Sequence, residues 1–200
     1  MGRRFAVTYD YRCPFARNAH EHIVTALRAG ADWEVDFVPF SLSQVHVEDG
    51  GVPVWKDPER APELLALETS LVIADHFPSS FLDVHEALFA ARHDEGRDLR
   101  DRNVVLDVLT SCGVDSAKAG AILEQDEIRE QLRIRHESVV DSHNVWGVPT
   151  FIVREYAAFV RLMTRPKGDP DLARQTIERV VDHIASHPEI NEIKHTTVPN

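Results

Sequence analysis

The chain has 200 residues, 43% of them hydrophobic, and a formal net charge of -11 at pH 7. That length suits one compact domain, or one domain with a large insertion, and the composition excludes fibrous and disordered classes. No dense Lys/Arg cluster occurs, which argues against nucleic acid or an anionic membrane as the main partner, and the longest apolar runs, such as LVIA at 71–74, are too short to span a bilayer.

The opening MGRRFAVTYD lacks the apolar stretch and small-residue cleavage site of a secretory leader, so a cytoplasmic location is expected. RRFAVTY (3–9) reads as a short buried strand. It runs into a helix beginning at Pro14, with Ala16, Ala19, His20, Ile23, Val24 and Leu27 at helical spacing and Gly30 as its stop. WEVDFVPF (33–40) alternates as a second strand, so the helix is the crossover of a parallel pair. Residues 41–62, broken by glycines and prolines, read as a loop. From 63 to about 142 the pattern is helical. Pro62 opens the first helix, Ser79 or Ser80 caps the second and Gly113 stops the third. After VWGVPT the strand pattern returns in TFIV and AAFVRLM, joined by REY. A final amphipathic helix follows, capped by Asp169, with Pro170 at its first position and Ile177, Val180, Val181 and Ile184 as its stripe. The tail INEIKHTTVPN is expected to be peripheral. The predicted order is β-α-β, a helical insertion, then β-β-α, an α/β fold with one small sheet.

The chemistry centres on YDYRCPFARNAH (9–20). Cys13 stands directly before Pro14 at a helix start, where unpaired backbone N–H groups and the helix dipole favour a thiolate. Such placement lowers a thiol pKa from ~8.5 to roughly 3.5–7.5, and Arg12 and Arg17 are placed to add positive potential. The plain alternative is a small buried hydrophobe, as most free cysteines are. Cys112 falls on the apolar stripe Val105, Val108, Leu109 and reads as core rather than as a resolving thiol. Among the histidines, His20 is expected to face the insertion and His22 to face solvent, and His143 is the best candidate of them to approach the thiol. His183 and His187 have i, i+4 spacing but no third ligand nearby, so no metal site is expected. Tyr11 and Phe15 flank the cysteine as a candidate aromatic rim, and Trp146 stands three residues before Pro149.

Cys-Pro after a first strand, with GVPTF (147–151) opening a later one across a helical insertion, resembles the DsbA-like branch of the thioredoxin superfamily. That branch also holds the 2-hydroxychromene-2-carboxylate isomerases and the kappa-class glutathione transferases. The resemblance implies a thioredoxin-like domain at 1–62 and 143–200 and an insertion domain at 63–142. It implies Cys13 as nucleophile and Pro149 as the cis-proline. Pro14, Phe15, Ala16, Tyr11, Val148 and Trp146 are then the substrate-binding surroundings. Relatives of this kind are often homodimers. Ala16 departs from the pattern, since a dithiol member carries its second cysteine there.

Several readings stay open. One is monothiol thiol–disulfide exchange completed by an external thiol on a small-molecule or protein disulfide. A second is a non-redox isomerase or transferase using a low-molecular-weight thiol. A third is an oxidation sensor passing through a sulfenic acid. The fourth is a non-catalytic binding or chaperone-like module. No tightly bound cofactor is expected; a glutathione- or mycothiol-type thiol would serve as co-substrate.

Overall fold

The computed structural model describes residues 2–197, so Met1 and the last three positions of the tail, with the outermost bounds of the expected domains, lie outside the described residues. Strand β1 (Arg3–Tyr9) leads into α1 (Pro14–Arg28), which crosses to β2 (Trp33–Pro39). β1 and β2 pair in parallel from Arg3↔Trp33 to Tyr9↔Pro39. A one-turn helix, α2 (Leu42–Val45), and two 3-10 turns occupy the segment expected to be a loop. Pro62 lies in the second of those turns, whose 3-10 bonds lead directly into α3 (Leu65–His76).

The insertion continues through α4 (Phe81–His93), α5 (Arg102–Ser111), α6 (Ser116–Ile122) and α7 (Asp126–His143). Ser80 stands at the start of α4 but makes no side-chain capping bond, because a 3-10 turn over 78–80 already feeds that helix. Gly113 takes φ +73°, the left-handed conformation that stops α5.

The chain then returns to the sheet as β3 (Thr150–Val153) and β4 (Tyr156–Phe159), giving the order β2-β1-β3-β4 with β3 antiparallel to both neighbours. The last strand is shorter than AAFVRLM suggests. Val160 N–H still donates to Pro149 O, but beyond it helix α1 captures the chain: Asn18 Nδ2 donates to Leu162 O (2.8 Å) and His22 Nε2 to Thr164 O (3.1 Å). That drape buries His22, which the sequence places on the solvent side. Helix α8 (Pro170–Ser186) closes the chain, with Asp169 Oδ1 accepting from Asp171 and Leu172 N–H.

One sheet face, with Phe5, Val7, Phe151 and Val153, is covered by Ala19 and Ile23 of α1 and by Ile177, Val181 and Ile184 of α8. Val180 of the expected stripe is only partly buried. A second core takes Val38, Phe40 and Ile152 and runs without a break through α3, α4, α5 and α7. Each large aliphatic side chain so buried contributes about 1.5–3 kcal/mol. Cys13 and Ala16 belong to this second core, so the thiol sits where the sheet meets the insertion.

A buried polar chain fastens that seam. The carbonyl of Thr8 can only accept, so His20 Nε2–H donates to it (3.2 Å). His20 Nδ1 then accepts from His85 Nε2–H (2.8 Å), and His85 Nδ1 accepts from the Tyr11 hydroxyl (2.8 Å). Both imidazoles are neutral with defined tautomers: burial lowers His20 to about 3 and holds His85 well below its ordinary range.

Candidate functional site

Cys13 is the N-cap of α1, with extended backbone (φ −91°, ψ 117°) that brings its side chain back over the first turn. Its Sγ accepts from Ala16 N–H at 3.4 Å, and its thiol donates to Val148 O at 3.4 Å. The Val148–Pro149 peptide is cis. The sulfur therefore lies between the first turn of α1 and the bend that opens β3. Pro14 is exposed at the first helical position, while Ala16, Val148 and Pro149 are buried.

Two threonines hold the bend in place. Thr8 Oγ1 accepts from Thr150 N–H (2.9 Å) and donates to Gly147 O (3.3 Å), and Thr150 Oγ1 donates to the same carbonyl (2.8 Å). The regular β1–β3 pairs cover Ala6↔Ile152 and Val7↔Phe151, so Thr8 continues the clasp with a side chain where the backbone pairs stop. Neither threonine stands out in sequence except as a polar residue in a buried strand.

Asp10 is the other residue that sequence reading passes over. Only 2% exposed, it accepts from Arg12 N–H (2.9 Å), from Leu42 N–H (2.9 Å) and from the Arg12 guanidinium. Its backbone carbonyl accepts from Cys13 N–H (3.0 Å). The signal was available: an Asp bonding the backbone two residues on is an Asx-turn, here three residues before a Cys-Pro helix start.

The electrostatics correct the expected thiolate. Burial pushes the Cys13 thiol up, the Ala16 and Phe15 N–H groups pull it down, and the nearby Asp10 carboxylate pushes it up again; the net direction is up. The two arginines bring little free positive charge to the sulfur. Arg12 is clasped by Asp10 (3.0 Å) and Glu63 (3.5 Å), and Arg17 pairs with Asp94. At rest the group is a neutral thiol whose proton Val148 O accepts.

Other expected residues divide. Tyr11 is not a rim residue: it is 1% exposed, its hydroxyl is bound to His85, and its carbonyl accepts from His93 Nε2 (2.9 Å). Phe15 is half-buried with the Arg161 guanidinium 5.4 Å from its ring centre. Trp146 is 65% exposed and lies against Phe159, ring centres 4.7 Å apart. His143 does not approach the thiol. It bonds Ser142 (2.7 Å) and Arg154 O (3.3 Å) at the β3–β4 turn, because α7 ends before the chain doubles back to Val148. His20 does face the insertion, through His85. Cys112 is a free, half-buried thiol against the insertion core. Among the described residues, no three His, Cys, Asp or Glu side chains are grouped to hold a metal ion, and no helix is long and apolar enough to cross a membrane.

Residues 79–164 match the sequence profile of a family described as the DSBA-like thioredoxin domain. No curated protein matches the chain by sequence. Solved structures resemble it over most of its length. DsbA from Pseudomonas aeruginosa has a TM-score of 0.60 at 18% identity, with 94% of this chain and 88% of that one covered. A putative protein disulfide isomerase from Nitrosomonas europaea reaches 0.63 at 12% identity, covering 92% and 99%. The cytosolic disulfide reductase DsbM from Pseudomonas aeruginosa, solved with GSH, gives 0.59 at 15% identity, covering 90% and 99%. The profile match spans most of the insertion together with β3 and β4, and nearly the whole chain has the fold of these DsbA-like thioredoxin structures.

Proposed function

We propose that the protein is a monothiol thiol–disulfide oxidoreductase of a reducing, cytoplasmic compartment, acting through Cys13. One observation carries the reading: Sγ lies between Ala16 N–H and Val148 O, with a methyl group where a resolving thiol would stand. Cys13 loses its proton to solvent and attacks one sulfur of a mixed disulfide between a substrate thiol and a small thiol. The substrate–small-thiol S–S bond breaks, a Cys13–small-thiol disulfide forms, and the substrate leaves as thiolate. A second small thiolate then attacks the small-thiol sulfur, restoring the Cys13 thiol and releasing the small thiol's own disulfide. Electrons balance at each exchange.

The raised thiol pKa sets the direction of use. A strongly oxidising exchange protein is one whose reduced thiolate is stabilised. Cys13 has no such net stabilisation, which favours reduction of substrate disulfides over their formation. A thiol of high pKa offers little thiolate at neutral pH and is a poorer leaving group, so the adduct on Cys13 is slow to form and long-lived. The exposed Trp146, lying against Phe159, supports a substrate with an apolar flank.

The neutral thiol also favours one second reading, in which Cys13 S–H donates a hydrogen bond to the thiolate of a bound small thiol that acts without redox, as an isomerase or transferase would use it. Mass spectrometry of the full chain after glutathione disulfide treatment separates the two. Exchange predicts one glutathione adduct on Cys13, lost in Cys13→Ser. The second reading predicts no adduct at Cys13 while reduced glutathione still binds, and that outcome would replace the first.

A further inference from the structure

Beside the Cys-Pro turn lies a cavity of about 260 Å³, walled on one side by Tyr11 and Arg12 and on the other by the insertion, through Leu67, Arg92, Leu99 and Arg100. The carboxylates that face it are already engaged. Asp10 holds Arg12 and Leu42 N–H, Glu63 is bound by Ser43 and Arg60, and Asp98 accepts from Arg100 Nε and Nη2. The guanidinium groups are not all used. Arg92 is exposed and, among the described residues, makes no ion pair or side-chain hydrogen bond, and Arg100 leaves Nη1 unengaged. In a chain of net charge -11, this cavity sets the unpaired Arg92 guanidinium and the free Nη1 of Arg100 above an apolar floor of Leu67 and Leu99, donors suited to an anion.

The donor type narrows the ligand. A guanidinium fork matches the two oxygens of a carboxylate, and partial enclosure strengthens the pair. Arg12 and Cys13 are consecutive, their Cα atoms about 3.8 Å apart, and an extended tripeptide spans roughly 10 Å. A peptide-sized thiol resting a carboxylate on Arg92 and Arg100 has the length to reach past Arg12 towards the Cys-Pro turn. We infer that this cavity is the binding site for a small thiol bearing carboxylates, with Arg92 and Arg100 as its carboxylate anchors; this rests on the exchange reading above. A glutathione-type thiol fits the site, and an uncharged sugar-type thiol such as mycothiol does not.

Two measurements test the site and the exchange reading apart. The first is calorimetric titration of the full chain with S-methylglutathione, which cannot exchange, and with its dimethyl ester. The acid is expected to bind, the ester at least tenfold more weakly. The Arg92→Gln/Arg100→Gln double variant should lose the same factor for the acid; both side chains are exposed, so the fold survives. Equal binding of acid and ester, an unaffected double variant, or no binding overturns the inference. The second is the rate of adduct formation at Cys13 with glutathione disulfide relative to 2-hydroxyethyl disulfide. That preference should shrink about tenfold in the double variant. Exchange at Cys13 without carboxylate-dependent binding removes the cavity site and leaves the oxidoreductase standing. Carboxylate-dependent binding with no adduct from either disulfide does the reverse.

Discussion

The two cysteines stand at opposite kinds of helix end. Cys13 caps the N-terminus of α1, and Cys112 caps the C-terminus of α5. Both are free thiols, and burial pushes both up. The compensation differs. Cys13 Sγ accepts a backbone N–H from a helix start, while Cys112 sits at the carbonyl-rich end, where the dipole opposes negative charge, with the Ser111 hydroxyl at 4.0 Å and the Asp83 charge pushing its thiol further up. A helix terminus lends charge to a sulfur only at one end, and burial can outweigh it even there.

The largest effect that would break this comparison is loss of exchange. Cys13→Ser should reduce glutathione adduct formation by more than about 100-fold, since no other group in the site is nucleophilic at sulfur. Cys112→Ser should leave turnover with glutathione intact. Loss of turnover in Cys112→Ser, with the Cys13 adduct accumulating, would make Cys112 the resolving thiol and end its reading as core.

The same helix sharpens the contrast two turns further on. His20 and His85 are buried with no anion to balance a proton, so their pKa values fall. Below about 6.5 an unfolded histidine takes up a proton that folded His20 refuses until about 3. The unfolded state then holds more protons, and stability falls as pH drops through that window, by about 1.4 kcal/mol per pH unit for each histidine. Urea unfolding at pH 7 and pH 5 should therefore differ by several kcal/mol. Equal midpoints would mean that the histidines protonate in place, and that charge is tolerated at this seam after all.

Much of this was legible in the residues. The aromatic and β-branched residues of RRFAVTY, alternation in WEVDFVPF, and 3.6-residue spacing from Pro14 and from Pro170 are local signals, and the structure has those elements where they fall. Cys-Pro and Gly-Val-Pro-Thr-Phe marked the two segments that meet. Apart from the 3-10 turns that displace Pro62 and Ser80 from their expected roles, the misreadings are of long range. Whether His22 is buried depends on Thr164, and where the last strand ends depends on Asn18 taking Leu162 O. The sign of the Cys13 shift depends on how far the insertion covers the sulfur and on where Asp10 points, which no motif around Cys13 encodes.

A middle-sized effect probes how the bend is held against the sulfur. Thr8→Val keeps the shape of the strand but removes the oxygen that receives Thr150 N–H. A buried N–H left without a partner costs about 1–3 kcal/mol. The variant should unfold at correspondingly lower urea and react faster at Cys13, because Val148 O no longer holds the thiol proton. Cys112 alkylation should keep its wild-type rate. Equal acceleration at both cysteines would indicate general loosening rather than release of the bend.

The smallest effect asks whether Asp10 sets the thiol at all. Asp10→Asn removes the negative charge that pushes Cys13 up and frees the Arg12 guanidinium from its closest partner. The amide oxygen can still accept from Arg12 N–H, so the turn before Cys13 is kept, while Leu42 N–H loses its acceptor at about 1–3 kcal/mol. Only the thiolate reacts, so the alkylation rate of Cys13 rises with pH through its pKa. In Asp10→Asn that rise should come at lower pH than in the wild type, and Cys112 in the same sample should titrate where it did before. If both curves coincide with the wild type, Asp10 serves only to fasten the turn, and burial alone separates Cys13 from an activated nucleophile.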